Sequence, residues 1–233
     1  MFFVMAAILV NIMQIDILTL FPSMFDGPFS ESLISRAIKN KAVKIKIHNL
    51  RDWAEGKHRQ VDDSPYGGGA GMVLKIDVMD RAVQVLKKRG TKIILLTPQG
   101  KTFNQKIAKK LSEQDHLILI CGHYEGFDER IRNLVDEEIS IGDYILTGGE
   151  LPAMIVADTV VRLLPGVVGK NESVKNDSFE NNLLDYPVYT KPEIYKRKRV
   201  PKILLSGDHQ KIAKWRQKEA KRRTQKRRPD LLK

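Results

Sequence analysis

Short runs of aliphatic residues alternate with amphipathic segments from Met13 to about Leu164. Apolar and polar residues alternate over 13–20, which predicts a half-buried first strand. Shorter aliphatic runs predict four more strands, at 43–48, 92–97, 116–121 and 138–141. Near-continuous aliphatic strands separated by helices are typical of a parallel sheet that is covered on both faces. The pattern therefore predicts an α/β fold with a mainly parallel sheet.

Amphipathic segments with apolar positions three or four residues apart predict helices between and after these strands. The predicted helices cover 30–40, 77–89, 104–112, 127–135 and 150–164. Asn104 is expected to cap the third of them, and Pro165-Gly166 to end the last. Two further helices are predicted near the C terminus, at 192–199 and 208–227.

The N-terminal run MFFVMAAILV is apolar but short. A membrane span needs about 20 apolar residues, and a secretory signal needs a preceding positive charge, which this run lacks. We interpret residues 1–12 as an extra tail and expect translation to start at Met13, which mass spectrometry of the native protein would test. Because no other segment is apolar over such a length, and Cys121 is the single cysteine, a cytoplasmic protein is expected.

Basic charge is concentrated at the C-terminal end. The chain has 233 residues and a formal net charge of +12, and residues 191–233 alone carry 17 Lys and Arg against four acidic residues. Before them, Gly169–Asn182 is polar and nearly free of apolar side chains, which predicts a mobile linker. A nearly neutral region followed by a strongly basic one indicates a polyanionic partner, nucleic acid before a membrane surface.

Glycine-bearing segments close three of the predicted strands, at Thr97–Gly100, Gly122–Gly126 and Ile141–Glu150. In parallel sheets ligands bind beyond the carboxyl ends of the strands, so three such loops favour a small-molecule pocket lined by backbone groups. For any one loop, a glycine that merely ends a strand is the alternative. A fourth cluster, Tyr66–Gly71, fits either a ligand-approaching loop or a surface turn, and it is not a phosphate-binding P-loop.

The sequence has few side chains in the spacing of a metal centre or a nucleophilic catalytic centre. The five histidines lack metal-ligand spacing, and no GxSxG motif is present. Cys121 ends an apolar strand and is expected to be buried rather than nucleophilic. Acidic pairs such as Asp62-Asp63 fit solvated faces better than a cation site. Asp177 is one carboxylate in a polar linker, and its surroundings alone predict a surface residue.

Two longer motifs are specific enough to indicate a protein family. They are GHYEGFDER at Gly122–Arg130 and SIGDYILTGGELP at Ser140–Pro152. With the segments Asp63–Met72, Thr97–Gly100, Trp215-Arg216 and Arg227–Leu232, they closely resemble the bacterial tRNA guanine-37 N1-methyltransferase (TrmD) family of the SPOUT superfamily. The resemblance runs from about Ile15 to the C terminus.

The resemblance implies a mainly parallel sheet with a deep trefoil knot and a small helical C-terminal domain, and S-adenosylmethionine as methyl donor. It implies a cofactor-binding domain over 13–168, a linker over 169–182 that carries the general base, and a tRNA-binding domain over 183–233. The residues that it assigns to the cofactor pocket are Leu96, Thr97, Pro98, Gln99, Gly100, Gly122, Tyr124, Glu125, Gly126, Ile141, Gly142, Asp143, Tyr144, Ile145, Leu146, Gly148, Gly149 and Pro152.

The resemblance also changes the interpretation of Asp177, which takes the position of the family's proposed general base. Asp177 would remove the proton from guanine N1, and Arg162 would stabilise the negative charge that develops on O6. Glu125 would help to hold the guanine. The other residues assigned to the tRNA substrate are Tyr66, Gly67, Gly68, Gly69, Arg197, Arg199, Arg222 and Arg223.

The family resemblance further implies a homodimer whose active site lies at the subunit interface, with no membrane partner. Mg²⁺ dependence has been associated with the family, but no cluster in the sequence identifies a metal site. Lys191 stands where an arginine is usual, which keeps the charge but loses bidentate geometry. The alternatives are a SPOUT methyltransferase that acts on another RNA site, and a non-catalytic RNA-binding protein.

Overall fold

The computed structural model describes residues 12–169 and 177–232. The chain divides into two compact units, residues 1–169 and 170–233, and each is described by itself. The predicted N-terminal tail lies outside the described residues except for Ile12, and so does the first part of the predicted linker, residues 170–176. Within the described ranges, no helix is long and apolar enough to cross a membrane.

A five-stranded parallel sheet forms the centre of the first unit. Its strands are β1 (Met13–Thr19), β2 (Val43–Asn49), β5 (Thr91–Thr102), β6 (His116–Cys121) and β7 (Glu137–Ser140). The order in the sheet is β2-β1-β6-β5-β7, and every neighbouring pair is parallel. A separate antiparallel pair consists of β3 (Asp62–Asp63) and β4 (Val73–Leu74). The prediction of a mainly parallel sheet is confirmed.

The sheet is covered on both faces, as its aliphatic strands require. Alternate residues of β5 pack into two different apolar core clusters. Ile94 and Leu96 belong to one cluster, and Ile93 and Leu95 belong to the other. Helices cover both faces, namely α1 (Asp26–Ser30), α2 (Ser32–Lys39), α3 (Ile76–Leu86), α4 (Gln105–Ser112) and α5 (Glu150–Val161). The central strands therefore bury apolar side chains on both sides, which is the main source of stability for such a sheet, whereas β2 at the edge exposes Lys44 and Lys46.

Local signals in the sequence set the helix ends. The Asn104 side chain accepts a hydrogen bond from the Ile107 N–H at 3.1 Å and caps α4, as predicted. The predicted helix over 127–135 is a 3₁₀ helix over Glu129–Asn133 instead. Asp128 caps it, and the Leu134 N–H closes it with a bond to Ile131 O. The Asp136 N–H already donates to β5, so the segment between Asp128 and Asp136 is too short for a full α-helix.

Further 3₁₀ helices lie between the main elements. In the first unit they are Pro22–Phe25 and Leu50–Trp53, and in the second Glu180–Asn182, Lys202–Leu205 and Pro229–Leu232. The second unit also contains α6 (His209–Arg227), which Asp208 caps through the Lys211 N–H. This helix agrees with the predicted one over 208–227.

The predicted helix over 192–199 is wrong. This segment forms an antiparallel hairpin of β8 (Ile194–Tyr195) and β9 (Lys198–Arg199). Lys196 and Arg197 make its two-residue turn with φ of 47° and 65°. A left-handed pair matches the twist of a tight hairpin, whereas four consecutive cations offer a helix no apolar stripe. The second unit is therefore not helical throughout.

A hydrogen bond to Thr224 and a cation–π contact join residues 184–186 of the second unit to α6. Thr224, fully buried, accepts a hydrogen bond from the Leu184 N–H at 2.9 Å and donates to Ala220 O at 2.8 Å. The Arg216 guanidinium lies 4.8 Å from the centre of the Tyr186 ring. These contacts hold residues 184–186 against the helix.

Candidate functional site

A cavity of about 490 Å³ lies beside β5 and at the ends of β6 and β7. It is lined by the three glycine-bearing segments, but only two of them are loops that follow a strand, because Thr97–Gly100 lies within β5 and does not close it as predicted. The structure brings together around it every residue that was assigned to the cofactor except Gly100 and Asp143. Its volume suits a ligand of the size of a nucleoside derivative.

An irregularity in β5 creates one wall of the cavity. Leu96 and Lys101 both pair with Ile139 of β7, so the four residues between them bulge out of the strand. Gly100 does not line the cavity because it faces β7. A methyl group on Gly100 would lie 2.4 Å from both the carbonyl carbon of Glu138 and the amide nitrogen of Ile139. The glycine therefore allows the bulged backbone to return to the sheet.

The loop after β7 explains the other exception. The Tyr144 N–H donates to Gly142 O at 3.0 Å, which places Asp143 at the apex of a three-residue turn. Asp143 is exposed and does not reach the cavity lining. Tyr144 and Ile145 are also strongly exposed, although both contribute to the lining. This loop therefore presents apolar side chains at the mouth of the cavity.

The loop after β6 is fixed by backbone hydrogen bonds. Gly149 N–H donates to Gly122 O at 2.8 Å, and Gly126 N–H donates to His123 O at 3.2 Å. Tyr124 adopts a left-handed conformation with φ of 60°, which is uncommon for a bulky residue. Such strained positions persist only where surrounding contacts impose them, and they concentrate at ligand sites.

The Tyr66–Gly71 loop is not part of the cavity lining, but its stem is bonded to the β6 loop. Glu125 N–H donates to Met72 O at 3.1 Å, and Leu74 N–H donates to Gly126 O at 3.0 Å. A methyl group on Gly71 would lie 2.5 Å from the Glu125 side chain. Tyr66 is fully exposed. The structure thus places an exposed aromatic residue on a loop that is joined to the cavity wall.

Arg132 is a lining residue that sequence reasoning missed. Its guanidinium bonds the carboxylates of Glu129 and Glu138 and lies 2.5 Å from Gln99 Oε1. The hydrogen bonds to Glu138 and Glu129 raise the pKa of Arg132 above its usual value. Arg132 therefore ties the β5 bulge, the 3₁₀ helix and β7 together.

Other lining residues were also missed, namely Leu95, His123, Phe127, Glu129, Ile131, Ile139, Ser140 and Thr147. All are close in sequence to the three predicted loops. Extending each loop by the residues that flank it would have found most of them. Residues such as Glu129 and Ile131 needed the fold, because they reach the cavity from the 3₁₀ helix.

Cys121 lies behind the cavity and is fully buried. Burial raises the pKa of its thiol well above the usual value, and the nearby charge of Glu150 raises it further. This agrees with the interpretation that Cys121 is a core residue, because a nucleophilic cysteine needs a thiolate. Among the described residues, no cluster of three or more His, Cys, Asp or Glu could hold a metal ion.

The two residues assigned to catalysis, Asp177 as general base and Arg162 as the group that stabilises charge on O6, belong to different units. Arg162 is half-buried at the C-terminal cap of α5. Asp177 is half-buried in the second unit, close before the Glu180–Asn182 helix. Of the basic residues assigned to tRNA, Arg197, Arg199 and Arg222 are exposed, whereas Arg223 is half-buried. Their roles stay predictions.

A parallel α/β sheet with a cavity at its carboxyl edge is typical of proteins that bind a small molecule through backbone-rich loops. The family model described as tRNA (Guanine-1)-methyltransferase TrmD matches residues 13–233. The chain therefore belongs to this family of methyltransferase enzymes, and the resemblance of its motifs is confirmed.

Individual relatives are similar over nearly their whole length. A protein of Dictyoglomus turgidum is 54% identical over 94% of this chain and 90% of its own length. A protein of Dehalococcoides mccartyi is 55% identical over 94% of this chain and 90% of its own length. A protein of Listeria monocytogenes is 54% identical over 95% of this chain and 92% of its own length. Each bears the name tRNA (guanine-N(1)-)-methyltransferase.

Proposed function

We propose that this protein transfers the methyl group of S-adenosylmethionine to N1 of guanine 37, beside the tRNA anticodon. The observation that carries the proposal is the cavity that the three family motifs form at the carboxyl edge of the sheet. A methyl transfer from a sulfonium needs no nucleophilic side chain, which fits a cavity lined by glycines and backbone groups. We place the enzyme in the cytoplasm, with its tRNA substrate, and expect the knot of this superfamily in its sheet.

S-adenosylmethionine fits the cavity in size and in chemistry. The β5 bulge at Thr97–Gln99 and the loops at Gly122–Gly126 and Ile141–Gly149 offer amides and carbonyls to an adenosine, and Leu96 and Pro152 offer apolar contacts. When bound, the cofactor supplies the methyl group at a positively charged sulfur. The protein has to orient that methyl group and exclude water from it.

Proton removal is the step that the protein itself performs. Guanine N1 carries a proton and is a poor nucleophile until this proton is lost. We assign the proton to the Asp177 carboxylate and the stabilisation of charge on guanine O6 to the Arg162 guanidinium. Glu125, adjacent to the Gly71 backbone, would hold the guanine.

The second unit supplies the charge for tRNA binding. Exposed Arg197 and Arg199 on the hairpin and Arg222 on α6 carry three of its many cations. Such residues contact phosphates, which gives affinity and salt dependence rather than sequence recognition. Recognition of guanine 37 would then depend on the cavity and the Tyr66–Gly69 loop.

We further propose a homodimer with the active site at the subunit interface. Several apolar side chains of the first unit are exposed beside the cavity or on α5, including Ile145, Leu151 and Ile155. Phe21 and Met24, close to α5 in the first unit, are exposed as well. Exposed apolar clusters of this kind mark protein interfaces. Sedimentation of the full chain would test this assembly.

Radiolabelled S-adenosylmethionine, with tRNA transcripts that carry or lack guanine 37, tests the reaction. We expect label in N1-methylguanosine of the first transcript alone. Equal labelling of both would show a methyltransferase for another RNA site. RNA binding without any transfer would show a non-catalytic RNA-binding protein.

Asp177→Asn tests the general base. We expect cofactor affinity to be retained and single-turnover methylation to fall by at least about 100-fold, the lower end of general-base effects. Asp115→Asn, the same change at an exposed site, is the matched control and should behave as the parent. A near-normal single-turnover rate would remove Asp177 from the role.

A further inference from the structure

A buried carboxylate lies directly behind the cavity wall. Glu150, the first residue of α5, is 1% exposed. Its Oε1 accepts a hydrogen bond from the Thr19 hydroxyl at 2.7 Å, and Thr19 Oγ1 in turn accepts the Phe21 N–H at 2.9 Å. Burying a charge is costly unless other groups compensate it, so a carboxylate in this position needs a reason.

The second oxygen of this carboxylate faces a residue of the cavity wall. Glu150 Oε2 lies 3.7 Å from Nε2 of His123, which lines the cavity and is only 19% exposed. The Phe21 ring packs against the imidazole edge-on, with centroids 4.6 Å apart. A methyl group on Gly148 would lie 2.3 Å from Glu150 Oε2 and 2.8 Å from His123 Nε2. The glycine of the third loop therefore makes room for this contact.

His123 is also the residue that precedes the strained position of the β6 loop. Tyr124 is left-handed, and the His123 carbonyl accepts the Gly126 N–H that closes the loop. A left-handed conformation at such a residue persists only where its neighbours hold it. Contacts to the His123 ring are well placed to do so.

We propose that Glu150, oriented by Thr19, is a positioning residue that holds the His123 imidazole and so keeps Gly122–Gly126 in its cavity-forming conformation. The proposal rests on the proposed function in one respect, because it takes S-adenosylmethionine as the ligand of that loop. Glu150 itself does not reach the cavity lining and touches no reacting atom.

Hydrogen exchange of the ligand-free protein tests the positioning role directly. We expect amides of 122–126 to exchange about 10-fold faster in Glu150→Gln and in His123→Ala, and the rest of the sheet to be unchanged. Glu113→Gln, the same change on an exposed side chain, is the matched control. Unchanged exchange in Glu150→Gln would overturn the proposal whatever the ligand is. If His123→Ala fails to fold, His123→Gln takes its place.

Calorimetric binding of S-adenosylhomocysteine, with a double-mutant cycle, separates positioning from general stability. We expect each single variant to bind about 10-fold more weakly, and Glu150→Gln to add nothing in the His123→Ala background. Gln keeps the side-chain volume and an acceptor oxygen for the Thr19 hydroxyl, so Glu150→Gln should stay folded well above the titration temperature. Additive losses, or a lower melting temperature that accounts for the weaker binding, would contradict the proposal. A parent that binds no S-adenosylhomocysteine would refute the proposed function, while the exchange result would still decide the positioning role.

Discussion

Gly100 is the position at which the smallest substitution should have the largest effect on the cavity. Its added methyl group would lie 2.4 Å from two backbone atoms of β7, where contacts of about 3.5–4.0 Å are normal. Backbone atoms cannot rotate away, so β5 and β7 would have to separate by about 1 Å from their spacing of roughly 4.8 Å. Gly100 has no positive φ, so space rather than conformation decides the outcome.

Overpacking costs about 1–3 kcal/mol, and each weakened ladder hydrogen bond adds about 1 kcal/mol. We therefore expect Gly100→Ala to lower the free energy of unfolding by about 3 kcal/mol, or the melting temperature by roughly 6–12 °C. Because the displaced residues carry the β5 bulge, the affinity for S-adenosylmethionine should fall at least about 10-fold, that is about 1.4 kcal/mol.

Urea unfolding and calorimetric titration measure the two effects. Gly27→Ala is the matched control, because Gly27 lies in α1 and a methyl group there would meet nothing within 4 Å. It should leave binding unchanged and stability unchanged or slightly raised. The steric reasoning would be refuted if Gly100→Ala unfolded and bound ligand like the Gly27 variant.

Three other predictions follow from individual contacts. Burial alone would raise the pKa of Asp16, but hydrogen bonds from two histidines and Gln14 lower it. The contribution of Asp16 to stability is therefore present above about pH 4, the pKa in the unfolded chain. It is lost as the pH falls through the lower pKa of the folded protein. Asp16→Asn should therefore flatten the acid limb of stability against pH, and an unchanged limb would count against this account. Thr224→Val should lower the free energy of unfolding by about 1–3 kcal/mol, because the half-buried Leu184 N–H loses its acceptor in the protein, whereas Thr159→Val at a solvent-accessible hydroxyl should cost much less in the same urea titration. Arg222→Ala should weaken tRNA binding severalfold and reduce the slope of log Kd against log salt by about 1, and an unchanged slope would mean that this side chain meets no phosphate.

The strands of the sheet could be predicted from the sequence because their pattern is local. Five aliphatic runs predicted the five strands of the parallel sheet, four of them to within one residue at each end, whereas β5 continues through its bulge to Thr102, five residues beyond the predicted end. The cap at Asn104 was predictable for the same reason, since it needs only a side chain and an amide three residues later. The hairpin at 194–199 was not, because Lys196 and Arg197 resemble the polar face of a helix until the left-handed turn is seen.

The site was predictable in its loops but not in its arrangement. Glycines after the aliphatic runs predicted a binding pocket at the carboxyl edge of the sheet, and the family motifs predicted which residues line it. Gly100 and Asp143 belong to those motifs and yet do not line the cavity, because one faces β7 and the other sits at the apex of a turn. Arg132 lines it without any local signal, since its partners come from three different elements.

By itself, the sequence determined the five strands of the parallel sheet, the concentration of basic charge after residue 190 and the family to which the chain belongs. These depend on side-chain periodicity, composition and local motifs, which the order of residues contains directly. Only the tertiary structure decided which motif residues reach the cavity, and only it placed Thr19 and Glu150 together although 131 positions separate them. A contact between residues so far apart depends on the path of the backbone, which no local pattern encodes.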